Sequence, residues 1–176
     1  MILSIDIGFL NMGIVLVDDE LNVKFKKRVN ISEYTCQKEC LIGHASHVVD
    51  YVNHLFVNYR SVFEQADIVL LERQPPGGLQ CVEALLFNHF RDRAILISPN
   101  AVHAYLQINH LNYEERKKAS EKIANMVGRY ESERVHDLAD AFCMAKYYVE
   151  TTVVPKRRAS EEALDLDAFR YEKKCT

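Results

Sequence analysis

Two short, mostly apolar runs in this chain each end in a carboxylate. Met1–Ile5 leads into Asp6, and Asp67-Ile-Val-Leu-Leu leads into Glu72. Runs of this length, rich in Ile, Leu and Val, suit strands covered on both faces rather than helices. A carboxylate at the end of such a strand is costly unless it is paired or meets a cation. Open sheets bind ligands beyond the ends of their strands. The pattern therefore points to an α/β chain whose chemistry lies at one end of a sheet.

The remaining elements follow from periodicity. Residues 12–18 form another apolar run, and residues 22–30 alternate through Val23, Phe25 and Val29. Asp18, Asp19, Glu20 and Asn22 supply a tight turn between them, so the first three strands predict an antiparallel meander. Residues 35–63 switch to helical spacing through Cys40, Ala45, Val48, Val49, Val52, Leu55 and Phe56. Gln74-Pro75-Pro76-Gly77-Gly78 breaks the chain into a loop. Helices are predicted over 80–91, 99–107, 113–129 and 134–150, with a strand at 94–98 stopped by Pro99. The order β-β-β-α-β-α-β-α-α-α implies a mixed five-stranded sheet, an antiparallel meander plus parallel strands, with helices on both faces. That order fits the α/β architecture of ribonuclease-H-like proteins. One domain is expected over 1–154, followed by a charged, exposed tail at 155–176 with a short helix at 160–171.

Composition excludes several classes. At 48% hydrophobic and 27% charged over 176 residues, the chain is neither disordered nor collagen-like. No apolar run reaches the roughly 18 residues of a membrane span. The 22 basic and 25 acidic residues give a formal charge of −3, which argues against coating nucleic acid by bulk charge but permits a local basic surface. Five cysteines, an odd number without a secretory signal, read as reduced thiols of an intracellular protein.

Asp137 and Asp140 stand three residues apart in HDLADAF. On a helix this spacing puts both on one face, at the end where acidic side chains are favoured. Taken singly, Asp6, Glu72, Asp137 and Asp140 each have an ordinary use as a cap, a turn residue or a solvated charge. Together, on three elements, they can converge. Hard oxygen donors select Mg²⁺ or Mn²⁺. Two such ions about 4 Å apart would activate a water and stabilise the leaving oxygen in phosphodiester hydrolysis.

SIDIG with Asn11, VLLERQP, ISP at 97–99, ERKKAS at 115–120 and HDLADAF, in that order, resemble the RuvC-like Holliday junction resolvases, most closely those of poxviruses and other large DNA viruses. The matching blocks run from about residue 3 to 149. The resemblance implies a homodimeric, metal-dependent endonuclease that nicks opposing strands of four-way DNA, leaving a 5′-phosphate and a 3′-hydroxyl. A two-fold dimer would match the pseudo-two-fold junction. The resemblance also implies Asp6, Glu72, Asp137 and Asp140 as metal-binding catalytic carboxylates for two ions, and a lysine near the scissile phosphate. ERKKAS offers Lys117 and Lys118 for that lysine, with Lys118 preferred. The compartment implied is reducing and, for a viral chain, the site of viral DNA replication.

Three basic clusters are candidate DNA contacts: Lys26-Lys27-Arg28, Arg116 with Lys117 and Lys118, and Lys156-Arg157-Arg158. Phosphate neutralisation by such groups makes binding steeply salt-dependent. Tyr105, Tyr113 and Tyr130 either stack on an unpaired base or sit half-buried in the core, the commoner use. Cys36, Cys40, His44 and His47 are spaced C-x3-C-x3-H-x2-H. A straight helix cannot wrap four ligands around one zinc ion, so a core- or dimer-facing stripe is the simpler expectation. His136 reads as a helix-start residue rather than a general base. Two other functions compete. Asp6-Ile7-Gly8 with Asn11 and Gly13 also resembles the first phosphate motif of sugar kinases and actin-like ATPases, but those need two such domains, and no nucleotide cofactor is expected here. A non-catalytic junction-binding scaffold would keep the fold without needing the carboxylates.

Overall fold

The two carboxylate-ending runs become neighbouring parallel strands in the middle of the sheet. The computed structural model describes residues 1–33, 42, 44–126 and 135–159. β1 (Ile2–Asp6), β2 (Met12–Val17) and β3 (Val23–Val29) form the expected antiparallel meander. After α1 (Val48–Asn58) and α2 (Arg60–Phe63), β4 (Ile68–Glu72) inserts parallel to β1. α3 (Gln80–His89) leads to β5 (Ala94–Ile97), parallel to β4. The sheet order is β3-β2-β1-β4-β5. α4 (Pro99–Tyr105), α5 (Tyr113–Ile123) and α6 (His136–Tyr148) follow, and a π-helical segment at Val149–Val153 extends α6.

Strand alternation divides the core into two layers. Leu3, Ile5, Ile14, Leu16, Val69 and Leu71 pack with residues of α1, α2 and α3 on one face. Ile2, Val15, Val17 and Leu70 pack with α4, α6 and the π-helical segment on the other. Each such apolar side chain removed from water contributes roughly 1.5–3 kcal/mol. β3 is different. Its residues are mostly exposed, and Lys24, Lys26, Lys27 and Arg28 line it. Charges of this kind discourage edge-to-edge pairing of sheets.

Among the described residues, the helix expected over 35–63 starts at Val48. His47 is extended (φ −101°, ψ 150°) and caps the helix through Nδ1, which accepts from the Val49 N–H at 3.3 Å. Ser46 just before it has φ 54°, which a continuing helix cannot accommodate. The helix also breaks at Tyr59 before resuming as α2. Cys36, Cys40, Tyr130 and the tail from residue 160, with its expected short helix, lie outside the described residues. Residues 154–159 are helical. Pro155 lacks an N–H and would clash with the carbonyl four residues back in a regular helix, and the wider π turn just before it relieves this.

No helix among the described residues is long and apolar enough to cross a membrane.

Candidate active site

Asp6 and Glu72 point the same way because of strand parity. Even-numbered residues of β1 and β4 (Ile2, Leu70) project toward α6, and the same alternation places Asp6 and Glu72 on that face. The β1–β4 register pairs Ile5 with Leu71, so one further step sets Asp6 beside Glu72. Across β1, Asp6 faces Gly13 of β2. The backbone of Asp137 lies directly over that glycine. A Cβ at position 13 would stand 2.0 Å from the Asp137 carbonyl oxygen. Gly13 is therefore the seat of the first turn of α6. Ala141 and Ala145, fully buried one turn apart, keep the rest of that helix close to the sheet. The helix pitch then brings Asp137 and Asp140 over the ends of β1 and β4.

These four carboxylates line one cavity of about 260 Å³. The cavity is also lined by His103 of α4, Tyr113, Arg116, Lys117 and Ser120 of α5, and His136. α5 is held there by a capping box: Asn112 Oδ1 accepts from Glu115 N–H at 3.0 Å, and Glu115 Oε2 accepts from Asn112 N–H at 3.0 Å.

Asp6, Glu72 and Asp140 resist ionisation. Burial, followed by the charges of Glu72 and Asp140, holds Asp6 well above the usual carboxylate range. Burial also raises Glu72, against the lowering effect of hydrogen bonds from Asp6 and Gln74. The Gln74 amide donates to Glu72 Oε2 at 2.6 Å, which gives the glutamine of the LERQP block a positioning use. Asp140 is raised by burial and partly relieved by the Ser120 hydroxyl, His136 and His103. Burial and the Asp140 charge push the Cys143 thiol, on the cavity wall, up to about 12. Among the described residues, no three His, Cys, Asp or Glu side chains close around a single point as a ready-made metal cluster would. Instead Asp6 hydrogen-bonds Glu72, and these acids hold their protons more tightly than free carboxyls do. In donor chemistry and charge the set fits a divalent cation, which would take the place of those protons.

Of the two candidate lysines, Lys117 lines the cavity, whereas Lys118 is exposed and does not. Lys118 is the one preferred from the sequence, and the structure places it outside the cavity lining. The two lie about 100° apart on α5, and the face of α5 turned to α6 is the one bearing Lys117 and Ser120. Lys117 Nζ is 2.9 Å from His136 Nε2 and 4.2 Å from the centre of the Tyr113 ring. The same His136 nitrogen is 3.2 Å from Asp137 Oδ1, and Nδ1 is 4.0 Å from Glu121. The single Nε2 nitrogen either accepts from the Lys117 ammonium or donates to Asp137, one at a time, so His136 stands between the lysine and the aspartate. It is also the first residue of α6.

The basic clusters separate in space. Arg116 reaches the cavity wall, and one guanidinium nitrogen donates to the Leu111 carbonyl at 2.6 Å. Lys26 pairs with Val15 and Arg28 with Gly13, so both side chains project on the α6 face, whereas Lys27 pairs with Ile14 and projects on the other. The cluster does not act as a unit. Lys156, Arg157 and Arg158 are exposed, and Arg157 pairs with Asp19 in the β2–β3 turn. That turn lies at the opposite end of the sheet from Asp6, roughly 15 Å away at about 3.3 Å per residue of strand. Tyr105 and Tyr113 are exposed rather than half-buried, at 42% and 59%. Tyr113 is at the cavity mouth, while the Tyr105 hydroxyl is bonded to Glu150 at 3.0 Å.

His103 and Gly13 are the site residues that sequence reasoning missed. A lone histidine in a short helix carries no signal. A glycine inside an otherwise apolar strand does, because it marks a close backbone approach.

No protein-family model matches the chain, and no curated protein sequence matches it. Solved structures do. The yeast mitochondrial Holliday junction resolvase Ydc2 is 17% identical, with a TM-score of 0.59 over 84% of this chain and 78% of that one. The fowlpox virus Holliday junction resolvase is 17% identical, with a TM-score of 0.55 over 85% of this chain and 98% of that one. Thermus thermophilus RuvC, solved in complex with a Holliday junction substrate, is 18% identical, with a TM-score of 0.52 over 84% of this chain and 91% of that one. With its β3-β2-β1-β4-β5 sheet and helices on both faces, the chain shares the ribonuclease-H-like fold of these Holliday junction resolvases.

Proposed function

We propose that this protein is a Holliday junction resolvase, a metal-dependent endonuclease that nicks opposing strands of four-way and branched DNA. The observation that carries the reading is the convergence of Asp6, Glu72, Asp137 and Asp140, from three separate elements, on one cavity that also holds Lys117 and Arg116. The fold likeness supports it, since the fowlpox enzyme and Thermus RuvC have each been solved with junction DNA. A scaffold has no use for four acids gathered in one cavity, where their charges repel one another.

Asp6, Glu72, Asp137 and Asp140 would hold Mg²⁺ or Mn²⁺, two ions per site. Bound there, the ions activate water and neutralise charge on the phosphodiester. The protein's own groups do the rest. Gln74 orients Glu72 through its amide, and His136 stands between Asp137 and Lys117, able to bond one or the other. The Lys117 ammonium and the Arg116 guanidinium line the same cavity as the acids, where they would meet the phosphate and stabilise the negative charge that grows on it. Lys26 and Arg28, on the same face of the sheet, carry the DNA backbone away from the site. Paired nicks require two sites related by a two-fold axis, so the working unit is a homodimer. The reaction products are a 5′-phosphate and a 3′-hydroxyl. A reducing compartment, and for a viral chain the site of viral DNA replication, suits both the thiols and the substrate.

The direct test is a labelled synthetic four-way junction incubated with the protein in Mg²⁺, beside linear duplex and the Asp6→Asn variant. Paired, symmetric nicks on the junction alone, absent with Asp6→Asn, are expected. Binding without cleavage in both Mg²⁺ and Mn²⁺ would overturn the nuclease reading in favour of a scaffold.

A further inference from the structure

Tyr113 lines the carboxylate cavity, yet nothing assigned to that cavity so far uses it. It is the first residue of α5 and is 59% exposed. The capping box between Asn112 and Glu115 ties the backbone on both sides of it, so its ring starts from a fixed place. Lys117 stands four residues further along, on the same face of the helix. Long helical side chains lean back toward the N-terminus, which carries the lysine stem over the tyrosine. The Lys117 ammonium lies over the Tyr113 ring, 4.2 Å from its centre. It also lies 2.9 Å from His136 Nε2.

We propose that Tyr113 is a positioning residue for Lys117. On the junction-nicking reading above, its ring holds the ammonium in the cavity, where the scissile phosphate would enter. An ammonium within about 6 Å of a ring centre is attracted to the negative face of the π system. The contact uses the ring and not the hydroxyl. A lysine stem left to itself spreads its charge over many rotamers, and the ring narrows them. An ammonium has three N–H groups, so with one directed to His136 it keeps donors for a phosphate oxygen. Both side chains line the cavity that holds Asp6, Glu72, Asp137 and Asp140, so the restraint acts where the chemistry is. The competing use of an exposed tyrosine is to stack on an unpaired base. Here the ammonium already occupies one side of the ring. The two uses separate in kinetics, because positioning acts on the chemical step and stacking on DNA binding.

The test uses the full-length protein and reads three quantities: single-turnover nicking of a four-way junction in Mg²⁺, junction binding, and the proton NMR shift of the Lys117 ε-methylene in the free protein. In wild type the ring current is expected to move that methylene upfield, and Tyr113→Leu is expected to return it to the ordinary lysine position. Tyr113→Leu should slow nicking by about 2–5-fold, the range of an exposed cation–π contact, with junction affinity unchanged. Tyr113→Phe, which keeps the ring, should restore the rate. Replacing Tyr113 by phenylalanines with successively more ring fluorines, which drain the negative face at nearly constant shape, should lower the rate in steps. In a Lys117→Ala background, Tyr113→Leu should cost nothing further. A wild-type methylene at its ordinary position would overturn the proposal, as would a rate indifferent to fluorination or a loss that persists without Lys117. A loss confined to junction affinity would overturn it in favour of base stacking. A wild-type protein that nicks no DNA would overturn the nuclease reading and this role with it, whereas nicking indifferent to position 113 would overturn this role alone.

Discussion

Replacing Gly13 with alanine tests how the acidic cluster is assembled. The new Cβ would lie 2.0 Å from the Asp137 carbonyl oxygen and 2.6 Å from its carbon, where real Cβ contacts essentially never fall below 3.0 Å. The obstructing atoms are backbone at the start of α6, so no rotamer change relieves the clash. Either β2 or the first turn of α6 must give way by about 1 Å, the difference between the contact made and the closest one tolerated. β2 is held by β1 and β3 on both sides, so α6 is the element that moves. Asp137 and Asp140 move with it, away from Asp6 and Glu72. A misplacement of about 1 Å in a catalytic constellation costs on the order of 10²-fold in rate. Overpacking of this kind costs roughly 1–3 kcal/mol in stability. Single-turnover cleavage of a four-way junction, read beside urea unfolding and junction binding, checks both numbers. The expected result is cleavage reduced about 10²-fold, binding retained, and stability lowered by about 1–3 kcal/mol. A Gly13→Ala protein that cleaves and unfolds like wild type would refute the idea that Gly13 seats α6.

Three further outcomes are expected. The folded-state pKa values of Asp6, Glu72 and Asp140 are raised, so the folded protein binds more protons than the unfolded chain as pH climbs from the ordinary carboxylate range toward those values. Stability of the metal-free protein should therefore be greatest at the acid end of that window and fall as pH rises through it; at neutral pH Asp6→Asn should melt higher than wild type, and Mg²⁺ should stabilise wild type more than the variant. A melting temperature at neutral pH that is lower for Asp6→Asn would contradict this. Lys117→Ala should slow junction cleavage by about 10²-fold, as loss of a charge-stabilising donor does, whereas Lys118→Ala should leave the single-turnover rate near wild type; equal losses would refute the assignment by cavity position. Lys26→Ala and Arg28→Ala should each reduce the slope of log K against log salt for junction binding by about 0.9, one phosphate contact apiece, and Lys27→Ala should not, because its side chain projects on the other face.

Much of the site is written in residues that local rules can read. Asp6 and Glu72 end apolar runs too short to be anything but buried strands, and Asp137 and Asp140 carry helical spacing. The β-branched content and the turn at Asp18–Asn22 made the meander legible for the same reason: each signal is local. Where neighbours in sequence compete, local rules fall short. Helical spacing at 44–47 reads as a continuation of α1, but the left-handed Ser46 and the cap made by His47 stop it. Lys117 and Lys118 are chemically alike, and only the packing of α5 against α6 separates a cavity-facing ammonium from an exposed one.

The amino-acid sequence by itself determined the element types, the order of the strands along the chain and the four acids, because hydrophobic period and charge placement act over a few residues. The tertiary structure alone decided which surfaces meet. Gly13 gains its meaning only when α6 lies over β2, and His103 only when α4 is brought to the cavity that α5 and α6 also line. Lys26 and Arg28 part from Lys27 only through the pairing of β3 with β2. His44 meets His54, Nε2 to Nε2 at 3.2 Å, rather than His47, because Asp50 accepts from the Ala45 N–H and orders the turn before α1. Each depends on atoms distant in sequence brought within contact distance, a relation that no local pattern encodes.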